Sequence, residues 1–239
     1  MIAGGVKPAF DAERDSLGIL SSSSIVAHEL KSPLAIIRQL ALEIEDQTLS
    51  DAQRTTIAYQ IRLLSEQSMR LSSDIAATEQ MQAELFPTRS INPQAICLDV
   101  MQTITPLYKA QQRKIILKPR KRPLLGVANP DLLRRVMLNF VDNALHYTDE
   151  SSVVELYTQL VAGQNSIRIG VRDYGVPISR RVAHVVPDRV SSAPIANGLG
   201  LSIAHRFAEV FGGTIGATRH RNGTSFYIDV MVSKQLSLL

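Results

Sequence analysis

Val26, Leu30, Pro33, Ile37, Leu40 and Ile44 recur at steps of four, three, four, three and four. That is a heptad seam along one face of a helix. A second seam follows at Ile57, Ile61, Leu64, Ser68, Leu71 and Ile75. Between the two, in QTLSDAQR, Ser50 stands where it can cap a new helix and Gln53 where it completes a capping box. The spacing predicts a helical hairpin over residues 17–86, preceded by an N-terminal extension over 1–16. Two helices cannot fully bury two such seams, so a homodimer is expected, with two hairpins forming a four-helix bundle. FPTRSINP, with Pro87 and Pro93, reads as the exit from the hairpin, and residues 87–93 are assigned to a hinge.

After residue 94 the pattern changes. Helices are predicted over 94–112, 130–147 and 200–211, and strands over 114–118, 124–128, 152–161, 166–173, 214–219 and 224–232. Residues 174–197 read as irregular. SIRIGVRD and TSFYIDV alternate as strands do. Adjacent strands without regular βαβ alternation predict an α+β two-layer sandwich over residues 94–233, followed by a tail over 234–239.

Composition sets the outer bounds. With 45% hydrophobic and 20% charged residues, the chain can bury a core and is not globally disordered. The single Cys97 excludes an intramolecular disulfide and suits a reducing compartment. No apolar run approaches the roughly 20 residues that span a bilayer, and the N-terminus lacks a signal-peptide pattern. The expectation is a cytoplasmic chain with no membrane span of its own, unless it is a piece of something longer. The net charge is +4. The densest basic run, Lys114 to Arg122, is short and has no interleaved aromatics, so it reads as a solvated strand end rather than a nucleic-acid surface.

Within IVAHELKSPLAII, His28 points roughly opposite the Val26/Leu30/Ile37 seam. Ser32 shares its face and Glu29 lies at the edge of it. Pro33 lacks an N–H and should loosen the helix just after the histidine. On its own the pattern also describes an exposed helix histidine without a role. An oriented, neutral imidazole can attack a phosphoryl group, however, and a neighbouring carboxylate can take its other ring N–H.

NPDLLRRVMLNFVDNALHYT opens with an Asn129 cap, Pro130 at the first helical position and Asp131 in the first turn. Leu133, Val136, Phe140 and Ala144 form its core stripe, while Asn139, Asn143 and Tyr147 share a second face. Stacked asparagines could be a plain solvent face. Their carboxamide oxygens are also suitable hard ligands for Mg²⁺. IRIGVRDYGVPI leads a strand into Asp173-x-Gly175, which is a turn signal and equally a carboxylate able to accept from an adenine amino group, with Gly175 giving the base room. In ANGLGLSIAHRFAEVFGG, Gly198 and Gly200 precede a helix and can open its backbone N–H groups to phosphate. Neither a Walker A loop nor a Rossmann setting is present.

Taken in order, HELKSP, NFVDNALHYT, DYG and NGLGL resemble the phosphoacceptor box, N box and two glycine boxes of the bacterial two-component sensor histidine kinases. The resemblance covers about residues 20–232. It implies a dimerisation and phosphotransfer bundle followed by a Bergerat-type ATP-binding sandwich, using ATP and Mg²⁺. By the resemblance, His28 would take the γ-phosphoryl group, Glu29 would be its base, and Ser32 would position water for regulator dephosphorylation. Asn143, supported by Asn139, would hold Mg²⁺. Tyr147 would pack near adenine, Asp173 would bind its amino group, and Gly175, Gly198, Leu199 and Gly200 would line the nucleotide. His146 stands where the family often has a phosphate-reaching lysine. Pro177 and Ala196 replace glycines, and Arg180, Arg181 and Arg189 lie in a lid without the usual aromatic motif.

The expected partners are a second copy of the chain, a response-regulator receiver domain, and a separate sensor protein or a sensor domain beyond this chain; nucleic acid is not expected. The competing reading is a degenerate dimeric binding module with weak or no nucleotide turnover. A gyrase- or chaperone-type hydrolase is disfavoured because Asn139 stands where those enzymes place a water-activating glutamate.

Overall fold

The structure is a computed structural model that describes residues 27, 30–79, 83–148, 152–178 and 199–234. Helix α1 covers residues 30–43 and α2 is Asp51–Glu79. The turn between them carries the expected capping box. The Ser50 backbone N–H donates to Gln53 Oε1 at 2.9 Å, and the Gln53 N–H donates back to Ser50 Oγ at 3.3 Å. Arg54 closes the turn by donating to the Ile44 and Asp46 carbonyls at 2.9 and 2.6 Å. The seam residues Leu30, Pro33, Ile37, Leu40 and Ile44 are half-buried, whereas Leu34, Ile36 and Leu42 are exposed.

Residues 87–93, expected as a hinge, contain a short strand and the start of a helix. Strand β1 (Arg89–Ile91) pairs antiparallel with β3 (Gly126–Ala128), and Asn129 Nδ2 donates to the Pro87 carbonyl at 3.1 Å. Pro93 opens helix α3 (Pro93–Ala110) beneath an Asn92 cap. Proline suits a first helical position because the N–H it lacks has no intrahelical partner there. That same chemistry reads as a linker when only the sequence is in view.

The remaining elements are β2 (Lys114–Leu117), α4 (Pro130–Tyr147), β4 (Val153–Leu160), β5 (Ser166–Arg172), α5 (Leu199–Val210), β6 (Thr214–Arg219) and β7 (Thr224–Met231). Five strands form one sheet in the order β2-β4-β5-β7-β6, parallel only between β2 and β4. Burial alternates along β4, β5 and β7, as it does in a sheet covered on one face. Val154, Leu156, Ile167, Ile169, Val171, Phe226 and Ile228 point inward and meet Leu133, Val136 and Phe140 of α4, with Leu201, Ala204 and Phe207 of α5. The Phe140 and Phe226 rings stack with centroids 6.2 Å apart. Cys97 is fully buried, and burial pushes its thiol up to about 12, so it serves as a small apolar side chain.

Helix α2 packs on the sandwich, in part through its seam residues Leu71 and Ile75. Leu63 joins the core of the sandwich, and Tyr59, Leu71, Ile75 and Ala77 pack against that core. Helix α2 is therefore docked on α5 and α4.

Candidate nucleotide site

The site begins with the start of α4. Asn129 Oδ1 accepts from the Asp131 and Leu132 N–H groups at 3.1 and 3.0 Å, satisfying donors that no helical carbonyl can reach. With Leu133, Val136, Phe140 and Ala144 locked into the core, the helical period fixes the adjacent face, on which Asn139 and Asn143 are both buried. Asn139 Nδ2 donates to the Arg135 carbonyl at 3.0 Å, which frees its Oδ1 to face the first turn of α5. A Cβ at Gly200 would lie 3.1 Å from Asn139 Oδ1 and 3.5 Å from Asn143 Oδ1. Glycine is what allows the opening turn of α5 to approach both carboxamides. Asn143 Nδ2 is buried with no partner among the described residues. A buried amide without a partner points to an external one.

The second half of the site stands at the end of β5. Asp173 extends the ladder through its N–H to the Thr224 carbonyl at 2.9 Å. Its Oδ1 accepts from the Gly175 and Thr224 N–H groups, both at 3.1 Å. Burial raises the acid's pKa above the ordinary carboxylate range, against the opposing pull of those N–H groups. With Oδ1 committed, Oδ2 is the acceptor left for a ligand. Thr224 and Gly223 escaped the sequence reading. Gly223, at φ 97°, places the Thr224 N–H on the carboxylate. The signal was the Asn222-Gly223 turn between two predicted strands. Thr224 Oγ1 further accepts from the Ile178 N–H at 3.1 Å, and Arg219 Nε donates to the Ile178 carbonyl at 2.9 Å. The chain beyond Gly175 is thereby stapled to the β6–β7 hairpin.

A partly buried polar contact joins α2 to the Asn-bearing helix. Arg135 pairs with Asp74, and Arg70 Nη2 lies 3.7 Å from Asp142 Oδ2. Asp142 Oδ1 has no partner among the described residues. Burial pushes the Asp142 carboxyl up to about 6, with Arg70 pulling the other way. None of these four was singled out from sequence. Because its folded pKa is raised, Asp142 contributes stability below the ordinary value of 3.8, and this is lost as pH rises towards about 6. Asp142→Asn is therefore expected to match the wild type at pH 4 and to exceed it at pH 8 by up to about 3 kcal/mol. Urea unfolding at both pH values checks this; a difference that does not grow with pH refutes it.

Asn139, Asn143 and Gly200 thus form one cluster, and Asp173 and Gly175 form another with Thr224, while α4 packs over β5 between the two. Ser32 is exposed on α1. His28, Glu29, Gly198, the lid residues Arg180, Arg181, Arg189 and Ala196, and the side chains of His146, Tyr147 and Leu199 lie outside the described residues. Among the described residues no group of three or more His, Cys, Asp and Glu gathers to hold a metal. A divalent ion here would draw on the Asn143 and Asn139 oxygens and take most of its shell from phosphate and water. That donor set suits Mg²⁺.

Residues 128–234, which carry both clusters, match the family described as histidine kinase-, DNA gyrase B-, and HSP90-like ATPase. Its ATP-binding domain implies a nucleotide as ligand. The likeness to sensor kinases extends past this domain. The chain is 25% identical over 241 residues to the sensor histidine kinase GacS of Pseudomonas protegens, covering 95% of this chain and 26% of that protein. It is 26% identical over 230 residues to the adaptive-response sensory kinase SasA of Synechococcus elongatus, covering 87% and 58%. In fold it is similar to the histidine kinase ThkA, solved in complex with the response regulator protein TrrA. That match has a TM-score of 0.60 and 20% identity, and covers 96% of this chain and 68% of that one. Sequence and fold are thus both similar to the catalytic cores of two-component histidine kinases. The chain spans between 26% and 58% of the length of these two curated relatives. No helix among the described residues is long and apolar enough to cross a membrane.

Proposed function

We propose that the chain is the core of a two-component sensor histidine kinase that phosphorylates His28 with Mg·ATP and passes the group to an aspartate of a response regulator. The observation that carries this reading is the cradle in which Gly200 admits the first turn of α5 to Asn139 and Asn143. Asp173 would select adenine through its free oxygen, and the α5 N-terminus with Gly198, Leu199 and Gly200 would hold phosphate. Asn143 and Asn139 would hold Mg²⁺, which supplies charge neutralisation on the phosphates and keeps them in line. His146 would reach a phosphate and Tyr147 would pack near the base.

In the transfer the γ-phosphorus forms a bond to an imidazole nitrogen of His28 as its bond to the ADP oxygen breaks, and Glu29 takes or orients the proton on the other nitrogen. The regulator's aspartate then displaces the imidazole at phosphorus. Ser32, exposed four residues beyond His28, would place water to attack the regulator's aspartyl phosphate, releasing inorganic phosphate and the free carboxylate. Leu34, Ile36, Leu42 and Met69, all more than two-fifths exposed, support a homodimer that covers the hairpin. The ThkA–TrrA complex supports the receiver partner. A cytoplasmic setting, with the signal arriving from a separate sensor protein or domain, completes the reading.

Incubation with Mg·[γ-³²P]ATP is expected to give acid-labile, alkali-stable label on the wild type and none on His28→Gln or Asn143→Ala. Absent label with retained ATP binding would overturn the phosphotransfer. Absent binding as well would leave a dimeric binding module.

A further inference from the structure

The face of the sheet turned away from α3, α4 and α5 carries a groove of about 520 Å³. That lies within the range of small-molecule sites, roughly 300–1,000 Å³. Tyr157 lies flat across Gly170, its cross-strand neighbour, where a Cβ would come within 2.5 Å of the ring. Tyr157 and Tyr174 wall the groove, and Ser225 and Thr218 add hydroxyls. Lys118, Arg120, Arg168 and Arg172 line it, and among the described residues no carboxylate does. Two of these cations come from the basic run at 114–122 that the sequence reading assigned to solvent.

The four differ in how they are held. Asp229 grips Arg168 with two bonds of 2.8 Å, and Glu155 holds Lys118 at 2.6 Å. Arg120 and Arg172 are held by neutral acceptors. Arg120 donates to the Arg122 and Thr158 carbonyls at 2.9 and 3.3 Å. Arg172 donates to the Asp173 carbonyl at 2.6 Å, and to the Asn222 carbonyl and side-chain oxygen at 2.8 and 3.1 Å. Its guanidinium also sits 4.5 Å from the centre of the Tyr174 ring. The Glu155 and Asp173 charges act on Arg172 from nearby, but the hydrogen bonds that fix the two guanidiniums all go to neutral oxygens, which leaves their planar forks pre-organised to match phosphate oxygens in pairs. Burial and the Arg172 charge both hold His220 below its ordinary pKa, in keeping with a positive field, and its Nε2 lies 2.9 Å from Ser225 Oγ.

We propose that this groove binds a small oligophosphate, with Arg120 and Arg172 on its phosphates and the walls formed by Tyr157 and Tyr174 beside it. Side chains alternate along β5, so Arg172 faces this groove while Asp173 faces the nucleotide site, and the two sites lie on opposite faces of the sheet.

The test is calorimetric titration at low salt without divalent metal, using sodium tripolyphosphate and GTP as probes. Guanine offers a carbonyl oxygen where adenine offers an amino group, so Asp173 disfavours it at the other site. Tripolyphosphate is expected to bind saturably, to lose at least tenfold in affinity in Arg120→Gln, to recover partly in Arg120→Lys, and to bind Asn143→Ala undiminished. Unchanged melting midpoints show that the half-exposed Arg120 can be replaced without unfolding. GTP binding several-fold tighter than tripolyphosphate identifies a nucleotide as the source of the phosphates; equal affinities identify free oligophosphate. Absence of saturable binding overturns the proposal. So does binding that Asn143→Ala abolishes or that Arg120→Gln leaves unchanged.

Discussion

Asp173→Asn is expected to lower ATP affinity roughly ten- to a hundredfold, the worth of about 1.5–3 kcal/mol for a hydrogen bond to a charged group. The fold should survive. An asparagine Oδ1 can still accept from the Gly175 and Thr224 N–H groups, so the staple between β5 and the β6–β7 hairpin is kept. The loss falls on the other atom, where an Nδ2 donor replaces the carboxylate oxygen and meets the adenine amino group donor to donor. The melting midpoint should hold or rise, since burial disfavours the Asp173 charge and the variant removes it. A purine with a 6-oxo group should gain what ATP loses, so inosine triphosphate should bind the variant more tightly than the wild type. Paired titrations with both nucleotides decide the matter. An unchanged ATP affinity would remove Asp173 from base recognition.

What sequence reveals of such a chain depends on how local the physics is. The α4 boundary was legible because Asn129 and Pro130 act on the helix's own first turn, and Ser50 and Gln53 act within four residues. The core stripe of α4 was legible because burial repeats with the helical period. Gly223 was not, since its conformation matters only through Asp173, fifty residues earlier in the chain. The Arg70–Asp142 and Arg135–Asp74 pairs were invisible for a related reason. Each joins α2 to α4, and charged residues on a helix look solvated until the surface they meet is known. The heptad pattern of α2 marked Leu71 and Ile75, which do pack on the sandwich, but not the neighbouring face that carries Leu63, Arg70 and Asp74. In sequence Lys118 and Arg120 read as a solvated strand end, because their neighbours in the groove come from β4, β5 and the β6–β7 hairpin.

Gly223→Ala should cost the most among single methyl additions to the site, because two penalties meet there. At φ 97° an L side chain is strained by its own backbone, a cost of order 1–3 kcal/mol. The new Cβ would also stand 2.7 Å from Asp173 Oδ1 and against the Asp173 carbonyl, neither of which is a flexible side-chain end. To make room, β7 must withdraw from Asp173, which breaks the bonds that orient the carboxylate. A destabilisation of roughly 2–4 kcal/mol is expected, together with loss of ATP binding even where the protein remains folded. Gly163→Ala provides the control. Gly163 also has positive φ, at 71°, but nothing lies within 4 Å of its added Cβ. Its penalty should be only the backbone strain, about 1 kcal/mol, with ATP affinity untouched. Denaturant unfolding and nucleotide titration of both variants separate the two causes. Equal costs at the two positions would mean that Gly223 is needed for its backbone alone, and that the Thr224 N–H reaches Asp173 by some other constraint.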